Sequence, residues 1–307
     1  MIEKVRQHTY MQLIIVGIVL MVGTIVFTGI AVGISSLIWG MADAMSAMEG
    51  QFTNNNQINS LKLIQIASQL AMFVMPPLVL WAIMRKDEPN YLGLTNVPNA
   101  HQIFIILSLF IVSIPFLQYI IMLNESMSLG DSLSGIEVWM REQQDKNDFI
   151  VEKFLQNASP LSLIANLLVM AVMPAIGEEL FFRGLLTSWF KKVTSNIHIN
   201  IIITSIIFSA IHFQFYGFIP RFLLGMALGY TYYWTKSIWA PILLHFVNNA
   251  VTVLVYFYIN SNELTIDPQE FGTVDSTPVV ILSAVSIGAL MYLLSKNKDR
   301  REGKETT

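Results

Sequence analysis

The chain has no cysteine among its 307 residues. That excludes disulfide staples, a thiol nucleophile and any thiolate metal site. Charge is also scarce: Asp, Glu, Lys and Arg make up 13% of the residues, against about 25% in soluble domains. The formal net charge of −3 offers no basic surface, so nucleic acid is not an expected partner. No segment alternates apolar and polar residues in the manner of a barrel strand. No internal repeat of the kind that marks many transporters is visible. The chain lacks the His-Glu-x-x-His pattern of a zinc site. It also lacks a Gly-x-Gly-Asp motif, and no span carries Gly-x-Ser-Gly, since Ser134-Gly135 falls in a polar stretch.

What remains is apolar: 54% of the residues are hydrophobic. Runs of about 20 such residues match a hydrocarbon core of roughly 30 Å. We read eight candidate spans, at 11–39, 61–84, 102–123, 161–188, 198–214, 218–235, 238–259 and 277–295. The expected fold is therefore an all-α, polytopic membrane protein with about eight transmembrane helices. The apolar run from Met11 to Trp39 follows Lys4 and Arg6. It exceeds the roughly 7–15 residues of a signal-peptide core, so it reads as a retained, tilted first helix.

Charge placement sets the expected orientation. With both termini cytoplasmic, the inner segments hold Lys4, Arg6, Arg85, Lys86, Lys191, Lys192, Lys236, Lys296, Lys298, Arg300, Arg301 and Lys304. The outer segments hold only Lys62, Arg141, Lys146 and Lys153, as the positive-inside rule requires of a multi-pass cell-membrane protein. The polar stretch 124–160 mixes Ile136, Val138, Trp139 and Phe149 with charged residues. It reads as an amphipathic helix on the outer surface, with a lid over a substrate entrance as the alternative. We divide the chain into 1–150 (first helices and the outer polar segment), 151–260 (a helical core) and 261–307 (last helix and basic tail). Gly225 and Gly229 form a small-xxx-small pair suited to close helix packing. Pro76-Pro77 and Pro174 read as kinks.

Six polar residues interrupt these spans: Glu178, Glu179 and Arg183 in one, His212 in the next, and His245 with Asn249 in another. Ionisable groups at mid-bilayer depth cost at least roughly 2.5–3.5 kcal/mol each on insertion scales, so they point to a functional site. Positions i and i+4 share a helix face, which pairs Glu179 with Arg183. Glu178 has Phe182 at i+4 and is left available as a general base. An ionic clamp between helices is the simpler account of one Glu–Arg pair. It does not explain two glutamates accompanied by two distant intramembrane histidines. His245 and Asn249 also share a face, and an Asn amide can donate to a developing oxyanion. Jointly these residues supply a base, a water-positioning group and oxyanion donors, the inventory for hydrolysing an amide. Depth leaves one tension. From the inner boundaries above, Glu178, His245 and Asn249 fall roughly 10–16 Å into the membrane and His212 roughly 20 Å.

At these residues the chain resembles the CPBP family of intramembrane proteases, the CAAX-protease and bacteriocin-processing or Abi family. The matching motifs are Glu178-Glu179-x-x-x-Arg183, Phe208-x-x-x-His212 and His245-x-x-x-Asn249, in order and within spans. The stretches Arg221–Gly225 and Ser237–Pro241 are also similar to the family, and the resemblance covers about 160–255. It implies a membrane endopeptidase cutting a peptide or protein substrate near the membrane surface. By that resemblance Glu178 activates water with His212, while His245 and Asn249 stabilise the oxyanion. Glu179 and Arg183 support Glu178. No cofactor is required on this reading; zinc held by Glu178, His212 and His245 is the alternative. Two other functions compete: a non-catalytic immunity or scaffold protein of the same fold, and a proton-coupled transporter using Glu178 and the histidines as a relay.

Overall fold

The computed structural model describes residue 5 and residues 8–305, with side chains described as far as residue 296 apart from residue 269. Lys4, Arg6 and the basic side chains of the tail beyond Lys296 therefore lie outside the described residues. Among the described residues every regular element is helical.

Among the described residues six helices are long and apolar enough to cross a membrane. They are α1 (Thr9–Trp39), α3 (Asn55–Met84), α4 (Ala100–Glu125), α6 (Pro160–Val193), α9 (Trp239–Ser261) and α10 (Thr277–Glu305, apolar to Lys296). Between them lie the short α2 (Met41–Met48), the polar α5 (Ser134–Leu155), α7 (Ile197–Ala210) and α8 (Phe218–Thr235). Two of the eight expected spans thus fall outside the six. The 14 residues of α7 reach about 21 Å at 1.5 Å per residue, short of a hydrocarbon core. The 18-residue α8 carries Arg221 near its start.

Local sequence sets the helix starts. Asn54 and Asn99 each form a capping box with a glutamine three residues on, opening α3 and α4. Ser159 caps α6 ahead of Pro160, and Asn196 caps α7.

Polarity is distributed for a lipid environment. Ile25, Met21 and Leu37 of α1 project outward at 69%, 62% and 89% exposure, whereas Glu179, Arg183, Gln12, Gln102 and Asn200 are buried at 2% or less. Water would penalise that outward surface, and lipid does not.

Consecutive helices run up and down, so the connections gather at two ends. At one end Ile238 N–H donates to the Gly93 carbonyl (3.1 Å) and Asn96 Nδ2 to the Lys236 carbonyl (2.9 Å). These bonds tie the 85–99 loop to the α8–α9 turn. At the other end α5 lies across the ends of α3, α6 and α9. Lys62 Nζ and Asn166 Nδ2 both donate to the Phe154 carbonyl, and Asn260 Nδ2 donates to that of Leu155. Phe154 and Leu155 are 2% exposed, packed with Ile58, Val169 and Val253. The expected amphipathic helix is therefore seated on protein along its C-terminal turn.

The helices α7 and α8 pack closely beside the site. A Cβ at Gly229 would sit 2.9 Å from Ile201, and one at Gly225 would sit 3.1 Å from Ser205. A side chain at either position would push against α7, so the two glycines favour this close approach, the packing role expected of the pair.

Candidate active site

Glu178 and Glu179 end an α-helical turn of α6, and a π-helical segment, Leu180–Leu186, follows at once. The expected i, i+4 pair is made: Arg183 Nη1 donates to Glu179 Oε1 at 2.8 Å. Its other nitrogen, Nη2, donates to the Gly225 carbonyl of α8, also at 2.8 Å. Glu179 Oε1 accepts a second bond, from His245 Nδ1 of α9, at 2.9 Å. The Glu179–Arg183 pair therefore also orients His245, a third helix's imidazole. Glu179 and Arg183 are 0% and 2% exposed, so neither charge has water to fall back on.

Glu178 points elsewhere. Its Oε2 is buried with no hydrogen-bond partner among the described residues. His212 Nε2 lies 3.9 Å from it, too far for a hydrogen bond. His212 follows the end of α7, and its Nδ1 lies 2.7 Å from the Phe208 carbonyl one turn back. A carbonyl can only accept, so Nδ1 carries the proton and Nε2 presents a lone pair towards Glu178. Because α6 continues to Val193, five residues past its expected end, Glu178 now agrees in depth with His212, while His245 and Asn249 stand only about 9 and 15 Å along α9, so the tension moves to α9. Glu178 and His212 then both stand about 22 Å along their helices from that end.

Phe208 locks both imidazoles. Its ring centroid is 5.3 Å from that of His212 and 5.9 Å from that of His245, while the Arg183 guanidinium sits 4.9 Å over its face. Phe182 packs edge-on against it at 5.2 Å. Edge-to-face rings and a stacked cation are each attractive beyond simple burial.

Asn249 is explained by the backbone of α6. In the π-helical segment Leu167–Val172, the register shift makes Met173 N–H donate to the Leu168 carbonyl. The next residue, Pro174, has no N–H. The carbonyls of Val169 and Met170 are left for other donors. Gln69 Nε2 of α3 takes the first at 3.3 Å and Asn249 Nδ2 the second at 3.1 Å. Asn248 Nδ2 in turn donates to Asn249 Oδ1 at 3.1 Å. Pro174 is thus more than a kink, because it helps fix the amide of the candidate oxyanion donor.

Glu178, His212, His245 and Asn249 all line one cavity of about 610 Å³. Arg221 and Gln214 share its wall, with Gln214 Oε1 accepting from Arg221 Nη2. Glu178 and Arg221 are near enough to interact electrostatically. The sequence reading gave Arg221 and Asn248 no part in the site. A lone arginine in an apolar helix was the available signal for the first; nothing separated Asn248 from Asn249. Among the described residues no group of three His, Cys, Asp or Glu side chains is placed to hold a metal ion.

A polytopic helical membrane protein with a buried glutamate and two histidines around one cavity is the class that fold and site define. Residues 160–251 match the model of the family described as type II CAAX prenyl endopeptidase Rce1-like, which bears out the resemblance read from the three motifs. Over 92 residues the chain is 30% identical to the uncharacterized protein YpbD of Bacillus subtilis (strain 168). That match takes in 29% of this chain and 44% of YpbD, so it spans less than half the length of that relative. No solved structure matches the chain.

Proposed function

We propose that this chain is an intramembrane endopeptidase of the CAAX-protease type, hydrolysing a peptide bond by glutamate-activated water. The observation that carries the reading is the unpartnered Glu178 carboxylate, 3.9 Å from His212 Nε2 on the wall of a cavity shared with His245 and Asn249. A gap of that size between two acceptors suits one water donating a hydrogen bond to each. Its oxygen lone pair then faces the cavity. As it attacks the scissile carbonyl carbon, one water proton passes to Glu178 and the carbonyl oxygen becomes the oxyanion. Asn249 has a second amide proton to offer that oxyanion. His245 donates from Nε2 when both its nitrogens are protonated, with Glu179 as counter-charge. Collapse of the tetrahedral intermediate returns the Glu178 proton to the leaving amine. Peptide and bilayer are the only partners the reaction needs, and no step runs through a metal.

The test compares purified wild type with Glu178→Gln on an unbiased peptide library, products read by mass spectrometry. The amide is isosteric but accepts no proton, so we expect cleavage to fall by about 10²–10⁴-fold, the usual worth of a general base. Equal cleavage by both proteins overturns the reading.

A further inference from the structure

A second cavity of about 530 Å³ lies at the opposite end from α5, between the 85–99 loop and the ends of α6, α7 and α8. Its volume falls in the range of roughly 300–1,000 Å³ typical of small-molecule sites. Lys191, Lys192 and Lys236 line it, with Glu88 as the one acid among the lining residues. Tyr232 and Tyr233 form part of the same wall. The lysines are placed by backbone structure. Lys191 and Lys192 stand on the last turn of α6. Lys236 caps α8 in the left-handed conformation (φ 55°), with its ammonium 4.7 Å over the Tyr233 ring. The bonds from Asn96 and Ile238 to this turn hold that wall in place. Beside the cavity, Ile199, Ile202 and Ile206 of α7 form an exposed apolar stripe at i, i+3 and i+7.

We propose that this basic cavity is a binding site for a phosphate-bearing anion, and that an anionic phospholipid head group fills it with an acyl chain along the α7 stripe. Three cations against one acid leave an excess positive charge that a phosphodiester offsets. Tyrosines at such a site sit naturally at head-group depth. Basic pockets between membrane helices are suited to lipid head groups, whereas scattered surface lysines give only diffuse attraction. None of these residues belongs to the catalytic cavity, so the site stands or falls independently of the proposed peptidase activity.

The experiment uses the full chain in a neutral detergent, titrated with short-chain phosphatidylglycerol, short-chain phosphatidylcholine or glycerol 3-phosphate. The thermal unfolding midpoint is read for wild type, Lys191→Ala/Lys236→Ala, and an Arg85→Ala/Lys86→Ala control whose residues lie outside the cavity. We expect phosphatidylglycerol to raise the wild-type and control midpoints by several degrees, with no rise in the Lys191→Ala/Lys236→Ala protein. Glycerol 3-phosphate matching the lipid supports the anion site but assigns it to a soluble phosphate ester. Equal response of wild type to phosphatidylcholine and phosphatidylglycerol overturns the proposal, and that comparison needs no variant. An equal loss of response in the control also overturns it, by reducing the effect to general surface charge.

Discussion

Arg183 and Glu179 illustrate why a buried charge pair cannot be dismantled one side at a time. Each is fully enclosed, and Glu179 also holds His245. Arg183→Met leaves a buried carboxylate facing a single imidazole, and removing one partner of such a pair costs about 3–5 kcal/mol. Adding Glu179→Gln removes the orphaned charge, so the double variant should be more stable than Arg183→Met, as read by thermal unfolding in detergent. It should nevertheless stay poorly active, because a neutral amide no longer offsets charge on His245. Full activity in the double variant would make the pair purely structural. Arg221 poses a different question. Its guanidinium shares a cavity wall with Glu178 and bonds to Gln214, so Arg221→Gln should lower cleavage and, by losing that bond, cost about 0.5–1.5 kcal/mol of stability read by thermal unfolding. The Glu179–Arg183 contact was legible in the sequence because helical spacing dictates it. The bond from Glu179 to His245 was not, because it crosses between α6 and α9 and no local rule encodes it.

The helix that carries both glutamates is interrupted twice by π-helical turns. Such turns widen the helix and free carbonyls, a trade frequent at functional sites. In α6 the freed carbonyls of Val169 and Met170 are taken by Gln69 and Asn249. Asn249→Ala should therefore cost stability as well as activity, by about 1–3 kcal/mol for the carbonyl left without a donor. Pro174→Ala restores an N–H at the position that lacks one. Combined with Asn249→Ala it should recover much of the lost stability but none of the activity, a split that unfolding and cleavage assays read separately. If the second change recovers nothing, the link between Pro174 and Asn249 is wrong. A reader of the sequence sees Pro174 and expects a kink, yet the donors that take the freed carbonyls come from α3 and α9, which no local pattern encodes. The end of α6 was misjudged for a similar reason. The expected span stops at 188, where the apolar run ends, but the helix runs on through Lys191 and Lys192 to Val193, since lysine is a good helix former and ends a membrane crossing without ending the helix.

Hydrophobic length alone revealed the six long spans, because a run of about 20 apolar residues has few other uses. At α7 the apolar composition continues although the helix has only 14 residues, short of the length of the other six. A short α7 is what puts His212 just past the end of a helix, with its Nε2 3.9 Å from Glu178. The same geometry constrains the whole molecule in its membrane. The 126–133 segment ahead of α5 and the α6–α7 connection at 194–196 lie at opposite ends of α6 and its neighbours. Since wild type has no cysteine, single cysteines at Ser128 and Ser195 can report topology without background. A membrane-impermeant maleimide applied to intact cells should label the Ser128→Cys protein, and should reach Ser195→Cys only after the membrane is opened. The charge asymmetry predicts that direction, because lysines at the α6 end favour the cytoplasmic face. Labelling of both positions in intact cells would mean that α6 does not cross. Labelling of Ser195→Cys alone would invert the molecule and turn the basic cavity to the outside, where the positive-inside rule gives it no reason to be.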